Sequence, residues 1–380
     1  MASSPTHGPT VLFAASLVSM VLGSIHAFSV FLAPLEAQFA ATRATISLVY
    51  SFGLVFLTAT VLLAVPLYRR LPPATVYLVV ATFGALGTAI AGTADSLGAV
   101  FLGYSLIFGV CNGLGYGYGL QFAARANPDR AGMAMGVVTA AYALGAVIAP
   151  YGFDAALGAG GFGLAMTGLG SAVFAAGGLA ALLLVRSRAR YSGPSDPATG
   201  SKLPARRLAI IWVAYGSGVS AGLMAIGHAA GIADLAGTPG WLAAAVVAGC
   251  NLLGSLLSGW LSDKSSPRVI LTILPLLGAV GLFAPSVAPS LTIIGLGLIG
   301  FAYGGTIAAY PAAIATLFPG DDGPRAYGRI FTAWGAAGLL APWFAGQIFD
   351  WQGTYVFALW LAAGLAVVSS LTVRKGLRAA

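Results

Sequence analysis

Charged side chains are scarce in this sequence. Only 7% of the 380 residues are Asp, Glu, Lys or Arg, whereas 58% are hydrophobic and the mean hydropathy is +0.91. A soluble domain carries about 25% charged residues, because its surface must be hydrated. The composition therefore excludes a water-soluble globular protein and predicts a membrane protein surrounded by a lipid bilayer.

Cysteine and histidine are nearly absent as well. The two cysteines, Cys111 and Cys250, lie inside apolar runs, and the chain holds three histidines. A disulfide framework needs cysteines clustered on loops, so we expect no disulfide. The sequence shows no cluster of metal ligands, no acidic pair and no nucleophile–base array. We therefore expect no metal, no other cofactor and no enzymatic activity.

Long apolar runs fill most of the chain. A helix needs roughly 20 apolar residues to cross a hydrocarbon core of about 30 Å. Twelve runs are of roughly this length, at residues 11–33, 45–66, 74–93, 97–123, 132–153, 162–185, 208–231, 240–261, 269–285, 290–318, 326–348 and 354–373. The sequence therefore predicts an all-α membrane protein with twelve transmembrane helices.

The basic residues fall almost entirely on one side of these spans. If both termini lie on the same side, 17 of the 18 Lys and Arg residues join them there, and only Arg43 lies on the other side. Cytoplasmic loops hold the excess of Lys and Arg, so we predict that both termini are cytoplasmic, with the protein in the bacterial inner membrane. The asymmetry also accounts for the net charge of +8 without a nucleic-acid partner.

One long polar segment divides the chain into two sets of six spans. Residues 186–207, rich in Arg, Ser and Pro, indicate a cytoplasmic linker between bundles at 1–185 and 208–380. The second half repeats the first at an offset of 192 to 194 residues, as "GVVTAAYALGAVIAP" at 136–150 and "GRIFTAWGAAGLLAP" at 328–342 show. Two pseudo-symmetric six-helix bundles are typical of secondary transporters, which expose a midplane site alternately to either side.

The segment "GWLSDKSSPR", 259–268, resembles the Gly-x-Leu-x-Asp-Arg loop signature of the major facilitator superfamily. It falls between the eighth and ninth predicted spans, one of the two places where that superfamily carries it. The resemblance implies the major facilitator fold. It also implies that Asp263 pairs with Arg130, at the start of the fifth span, and so holds the cytoplasmic side shut.

The first-half counterpart of this loop departs from the signature. In "PLYRRLPP", Arg69 stands where the acidic residue would align. We therefore expect a charge-swapped cytoplasmic gate, in which Arg69 or Arg70 faces Asp321 and Asp322 before the eleventh span. The alternative, that both arginines only follow the inside-positive rule, stays open.

Three further segments are similar to the oxalate/formate antiporter and monocarboxylate-porter branch of the superfamily. They are "FSVFLAPLEAQFAATRATIS" at 28–47, "ANPDRAGMAMG" at 126–136 and "HAAGIADLAG" at 228–237. The resemblance implies a small organic anion as substrate. In that branch an Asn-x-x-Gly-Arg motif in the eighth span supplies an arginine to the substrate carboxylate. Here the motif ends in Ser255, so the arginine is missing.

No Lys, Arg, Asp or Glu lies near the middle of any predicted span. Charges inside a membrane are costly and are kept for substrates, ions or protons. Their absence argues against a dianion such as oxalate and against proton coupling by carboxylates. A monoanion held by neutral donors and a histidine, or a neutral semi-polar solute, remains compatible with the sequence.

Polar and aromatic residues within the spans are the candidates for substrate binding. His26 and His228 are of the residue type whose unperturbed side chain titrates near neutral pH, and they either contact the substrate or a proton or make structural hydrogen bonds. Tyr142 and Trp334 are related by the repeat, on spans expected to line the cavity. The remaining candidates, which either bind substrate or only link helices, are Asn112, Asn251, Ser255 and Tyr303.

The sequence thus predicts a secondary transporter of small organic acids, monocarboxylates in particular, that works as an exchanger or a proton-linked symporter. Two alternatives stay open: an exporter of a neutral or lipophilic small molecule, and a non-transporting membrane sensor. The expected partners are a small-molecule substrate, the lipid bilayer and a coupling proton or counter-substrate, with the protein as a monomer.

Overall fold

The computed structural model of the chain describes residues 7–64, 67, 70–127, 131–191, 204–262, 265–318 and 322–376. All regular elements in these ranges are helical. Ten stretches of the described chain are helical, long and apolar enough to cross a membrane. The predicted all-α fold is confirmed, whereas the number of twelve spans stays a prediction.

The first part of the described chain holds seven α-helices, which we number in chain order. They are α1 (Gly8–Leu22), α2 (Leu32–Phe39), α3 (Arg43–Leu63), α4 (Pro73–Gly92), α5 (Leu97–Val100), α6 (Gly109–Ala126) and α7 (Ala131–Ser187). Two helical segments that are not α-helical, one wound more tightly and one more widely, join some of these helices. A 3₁₀ segment, Gly23–Phe31, connects α1 to α2, and a π-helical segment, Phe101–Phe108, connects α5 to α6. Such interruptions inside a span often accompany functional sites.

The second part holds six α-helices, one for each span predicted there. They are α8 (Ala205–Leu235), α9 (Gly240–Ser262), α10 (Pro267–Val287), α11 (Thr292–Leu317), α12 (Asp322–Gln352) and α13 (Val356–Gly376). The predicted division between the ninth and tenth spans is present, because α10 ends at Val287 and a short 3₁₀ turn, Pro289–Leu291, precedes α11.

Helix α7 covers two predicted spans and contains a sharp break. A straight helix of its 57 residues would be about 85 Å long, far more than a bilayer core. The break lies at Gly160 and Gly161, whose backbone angles are not helical. Gly161 has φ +72°, a conformation that glycine adopts without steric cost. The arm before the break packs on α1, and the arm after it packs on α4.

The fold separates into two compact units. The first comprises Met1–Ile25 and Phe52–Pro194, and the second comprises His26–Ser51 and Ser195–Ala380. Helix α3 therefore begins in the second unit and ends in the first. The predicted bundles at 1–185 and 208–380 stay a prediction, because residues 26–51 group with the C-terminal helices.

Glycine pairs at repeat-related positions bring helix backbones into contact inside each unit. In the first unit, a Cβ atom added to Gly87 would lie 2.7 Å from the carbonyl oxygen of Gly103. In the second unit, a Cβ atom on Gly281 would lie 2.6 Å from the carbonyl oxygen of Gly295. These pairs follow the repeat offset found in the sequence, so the two units share this detail of helix packing.

The first described residues of the predicted linker pack on α6 within the first unit. The Tyr191 ring stacks on Tyr118 with centroids 5.3 Å apart, and its hydroxyl donates to Gln121 Oε1 at 3.0 Å. The Arg125 guanidinium carbon lies 4.7 Å from the centroid of the same ring. Residues 192–203 of the linker lie outside the described residues.

We predict that Gly281→Ala destabilises the protein, because the added methyl group would overlap the Gly295 carbonyl oxygen. Overpacking of this kind costs about 1–3 kcal/mol, so the melting temperature in detergent should fall by several degrees. The matched control is Gly364→Ala on α13, where a Cβ atom meets nothing within 4 Å. Equal melting temperatures for the two variants would contradict the predicted backbone contact.

Candidate functional site

The predicted cytoplasmic gate falls almost entirely outside the described residues. Arg69, Arg130, Asp263 and Asp321 all lie there. Asp322 begins α12, but its side chain also lies outside the described part of the chain. The pairing of Asp263 with Arg130 and the charge-swapped pairing both stay predictions.

In the first unit, the structure brings two candidate residues together. Asn112 on α6 and Tyr142 on α7 are buried, and the Tyr142 hydroxyl donates to Asn112 Oδ1 at 2.9 Å. The Asn112 amide donates in turn to the carbonyl oxygen of Leu22 at 2.7 Å. Leu22 is the last residue of α1, where carbonyls lack an α-helical partner. Asn112 therefore stabilises the change from α-helix to 3₁₀ segment within the first span.

The second unit holds a corresponding pair. The Trp334 indole N–H on α12 donates to the Tyr303 hydroxyl on α11 at 2.8 Å, and both side chains are buried. Phe331 stacks parallel to the Trp334 ring, with centroids 5.4 Å apart. Tyr142 and Trp334 are repeat-related, and Asn112 and Tyr303 stand at matching places on α6 and α11. In each unit a neutral hydrogen bond thus joins these two helices.

Asn251 and Ser255 lie one turn apart on α9 and are both partly exposed. The Ser255 hydroxyl donates to Asn251 Oδ1 at 3.4 Å, near the upper limit for a hydrogen bond. The site that carries an arginine in the resembling branch therefore presents only short, neutral side chains here.

His26 lies in the 3₁₀ segment and is partly exposed. Its Nδ1 atom is 2.8 Å from the Tyr50 hydroxyl on α3, and the two rings meet edge to face with centroids 6.1 Å apart. The Phe28 ring in turn stacks parallel to Tyr50, with centroids 5.9 Å apart. His26 is thus held by an aromatic cluster and keeps some exposure.

His228 on α8 is completely buried, and both of its ring nitrogens have protein partners. Nε2 lies 2.7 Å from the Pro342 carbonyl oxygen, which can only accept, so Nε2 carries a hydrogen. Ser47 Oγ lies 3.3 Å from the same nitrogen. Nδ1 lies 3.1 Å from the Tyr355 hydroxyl. This geometry is the one expected if His228 makes structural hydrogen bonds, the alternative that the sequence left open.

Arg43 was not among the site residues predicted from the sequence. Its guanidinium pairs with both carboxylate oxygens of Glu36, with Nη2 at 2.7 Å from Oε2. Its Nη1 atom donates to the Tyr355 hydroxyl at 2.8 Å. The signal was present, since Arg43 is the one basic residue assigned to the far side of the membrane.

Asp350 on α12 binds the first turn of α3. Its carboxylate accepts from the backbone N–H groups of Arg43 at 3.1 Å and Ala44 at 3.0 Å. A carboxylate at a helix N-terminus satisfies unpaired donors and meets the positive end of the helix dipole. The Arg43 guanidinium carbon also lies 4.2 Å from the centroid of the Phe349 ring.

Tyr355 lies between α12 and α13 and joins these groups. Its ring stacks on Phe349 with centroids 4.8 Å apart. The Arg43 guanidinium can only donate, and His228 Nδ1 accepts because Nε2 carries the ring hydrogen. The Tyr355 hydroxyl therefore accepts from Arg43 and donates its own hydrogen to His228 Nδ1.

Similarity to solved transporters decides the fold. The xylose transporter XylE from E. coli, in an inward-open conformation, matches with a TM-score of 0.73 and 15% identity, covering 97% of this chain and 96% of XylE. A bacterial homologue of the human lysosomal transporter Spinster, inward-facing and occupied, matches with a TM-score of 0.70 and 17% identity, covering 99% of this chain and 96% of its own. The chain has the major facilitator fold.

Sequence similarity agrees with the major facilitator fold. The profile of the Major Facilitator Superfamily matches residues 209–377. The uncharacterized MFS-type transporter YhjX of Escherichia coli (strain K12) is 24% identical over 345 residues, which are 85% of this chain and 84% of YhjX. These matches support the superfamily and a multi-pass integral membrane protein. They do not confirm the oxalate/formate or monocarboxylate branch.

None of the residues that line one cavity of the described chain is a predicted substrate residue. The volume of this cavity is about 240 Å³, and it lies where α8 begins, beside α12. Its lining residues are Ala205, Leu208, Ala209, Trp212, Arg329 and Ile330. Among the described residues of this major facilitator fold, no three His, Cys, Asp or Glu side chains are grouped to hold a metal ion.

We predict that Asn112→Ala destabilises the protein more than Asn251→Ala does. The first substitution removes the hydrogen bonds of Asn112 to the buried Leu22 carbonyl and to the Tyr142 hydroxyl, and a buried group that loses its hydrogen bond costs about 1–3 kcal/mol. The second removes only the long contact to Ser255. Thermal unfolding in detergent measures both, and an equal or larger loss for Asn251→Ala would contradict the assignment.

Proposed function

We propose that the protein is a secondary transporter of small organic acids, monocarboxylates in particular, and that it works by alternating access as an exchanger or a proton-linked symporter. The observation that carries this proposal is the matched pair of neutral hydrogen bonds, Tyr142 to Asn112 and Trp334 to Tyr303. Hydroxyl, indole and amide groups can bind one carboxylate without a fixed counter-charge.

The positions of the charges support a monoanion over a dianion. The charged residues of the described chain lie at or near helix ends or beside the break in α7, such as Glu36, Asp154 and Asp234. A dianion inside the membrane would need a fixed cation, because an uncompensated charge is costly there. Ser255, in place of the arginine of the resembling branch, points to the same conclusion.

A second candidate is the export of a neutral or lipophilic small molecule. The neutral hydrogen bonds and the aromatic pair of Phe331 and Trp334 favour it, since stacked rings bind apolar or sugar-like surfaces as readily as they flank a carboxylate. The sensor alternative has no specific observation in its favour. Substrate profiles therefore have to separate the two transport candidates.

The first experiment is uptake into proteoliposomes. Labelled formate, acetate and lactate are compared with oxalate and with neutral sugars, with and without a pH gradient. We expect saturable uptake of the monocarboxylates and no uptake of oxalate. Saturable uptake of neutral solutes alone would overturn the proposal in favour of the second candidate.

Trp334→Phe tests the site itself. The substitution keeps a ring beside Phe331 but removes the indole N–H, so we expect monocarboxylate uptake at low substrate to fall about 5- to 100-fold, as the loss of a buried hydrogen bond implies. The matched control is Trp212→Phe, whose indole donates to Thr332 Oγ1 at 2.9 Å and which lines the cavity where α8 begins. Equal effects of the two variants, or a larger effect of Trp212→Phe, would contradict the assigned site.

Ser255→Arg tests the missing charge. A guanidinium at this position should strengthen binding of oxalate about tenfold or more, measured as its inhibition of monocarboxylate uptake. Ser217→Arg on α8, where the serine bonds only to carbonyls of its own helix, is the control for an added charge. If oxalate inhibits the two variants equally, Ser255 does not face the substrate.

A further inference from the structure

Residues 26–51 are joined by the chain to the first unit at both ends, yet they pack in the second unit. Helix α1 precedes them, and α3 continues past Ser51 into the first unit. Specific contacts must therefore hold the first turns of α3 against the C-terminal helices. Three such contacts are present: Asp350 to the α3 N-terminus, Arg43 to Tyr355, and Ser47 to His228.

These contacts form one continuous chain of donors and acceptors. Arg43 donates to Glu36 and to the Tyr355 hydroxyl, Tyr355 donates to His228 Nδ1, and His228 Nε2 donates to the Pro342 carbonyl oxygen. Each link has a defined direction, because the guanidinium can only donate and the carbonyl can only accept. A buried network whose members are all satisfied is rigid and specific.

Two glycines leave space at this cluster, Gly346 for the backbone of α3 and Gly231 for two side chains. A Cβ atom on Gly346 of α12 would lie 2.7 Å from Ala44 Cα and 2.9 Å from its nitrogen. A Cβ atom on Gly231 of α8 would lie 2.7 Å from the Tyr355 hydroxyl and 2.8 Å from Arg43 Nη1. Ala44, Ser47 and Tyr355 are each no more than 2% exposed, and His228 is fully buried. The part of the contact around His228 therefore excludes water, whereas Asp350 at its edge is exposed.

We infer that Arg43, Ser47, His228, Asp350 and Tyr355 form a latch, the Arg43 latch, which closes the transport path on the side opposite the basic loops. The inference rests on the proposed function, because only a transporter that alternates between two open states needs to release residues 26–51. It assigns His228 to gating rather than to substrate contact. None of the residues of the cytoplasmic gate is involved.

The chemistry of the Arg43 latch suits repeated opening. Glu36 lies on the same segment as Arg43, so it remains beside the guanidinium and neutralises it when the segment leaves α12. The hydrogen bonds from the N–H groups of Arg43 and Ala44 to the Asp350 carboxylate break, and these groups bind water instead. Opening thus exchanges protein hydrogen bonds for bonds to water, which makes the two states similar in free energy.

The test is the exposure of one buried cysteine. Cys111 and Cys250 are first replaced by Ala, and Ser51→Cys then places a thiol on α3, one turn beyond Ser47 on the same face. Ser51 is fully buried. The rate of reaction with a membrane-impermeant maleimide added outside intact cells reports how often the latch opens to that side.

We expect Asp350→Asn and Tyr355→Phe each to accelerate labelling of Ser51→Cys about tenfold, because each removes a hydrogen bond to the latch that is made by a charged or buried group. The matched control is Asp154→Asn, which removes an exposed carboxylate from α7 in the first unit and should leave the rate unchanged. Equal labelling rates in Asp350→Asn, Tyr355→Phe and Asp154→Asn would overturn the inference.

A second cysteine separates opening from unfolding. Ala180→Cys, fully buried on α7 in the first unit, should stay unlabelled in every variant. If Asp350→Asn also exposes Ala180→Cys, that variant unfolds the protein. The test then relies on Tyr355→Phe, which keeps the ring stack on Phe349. Labelling needs no substrate, so an unchanged labelling rate of Ser51→Cys rejects the Arg43 latch but not the proposed function. The proteoliposome uptake profile tests the proposed function independently of the latch.

Discussion

A chain embedded in lipid has to satisfy its own polar groups, because the hydrocarbon core offers no water to replace a missing partner. Within the helices, several threonine hydroxyls meet this constraint by bonding to carbonyls one turn earlier, as Thr58 does to Leu54 at 2.8 Å and Thr306 to Ala302 at 2.7 Å. Between helices, the same constraint selects neutral pairs in the interior and a fully paired guanidinium near a helix end.

The second condition is close contact of backbones. Lipid chains are as apolar as the helices, so association depends on packing and on hydrogen bonds rather than on a hydrophobic driving force. Glycines such as Gly87 and Gly281 supply that packing at matching places in the two units, and Gly346 supplies it beside the Arg43 latch. The duplicated sequence thus encodes a duplicated packing scheme, while the latch belongs to residues 26–51 and the C-terminal helices alone.

Most of the fold could be predicted from the sequence, because hydropathy and the distribution of Lys and Arg are properties of single segments. The pairing of Tyr142 with Asn112 was harder, since the sequence marks both as polar residues within spans but does not show that they meet. The Arg43 latch joins residues about 300 positions apart, as in the contact of Asp350 with Arg43, and no local pattern contains that information. Gly160 and Gly161 mark the break in α7 in the sequence. The sequence does not show, however, that the helix continues up to this break from both sides.

We propose that the groups that bind the substrate, among the described residues, are neutral hydrogen-bonding groups with no fixed charge among them, and that one negative charge never crosses the membrane alone. Exchange of monocarboxylates, or their symport with a proton, is then electroneutral. The most direct measurement is the current from proteoliposomes on a solid-supported membrane after a rapid monocarboxylate step. The account predicts no net current while labelled substrate accumulates, and a transport current that changes sign with the substrate gradient would contradict it.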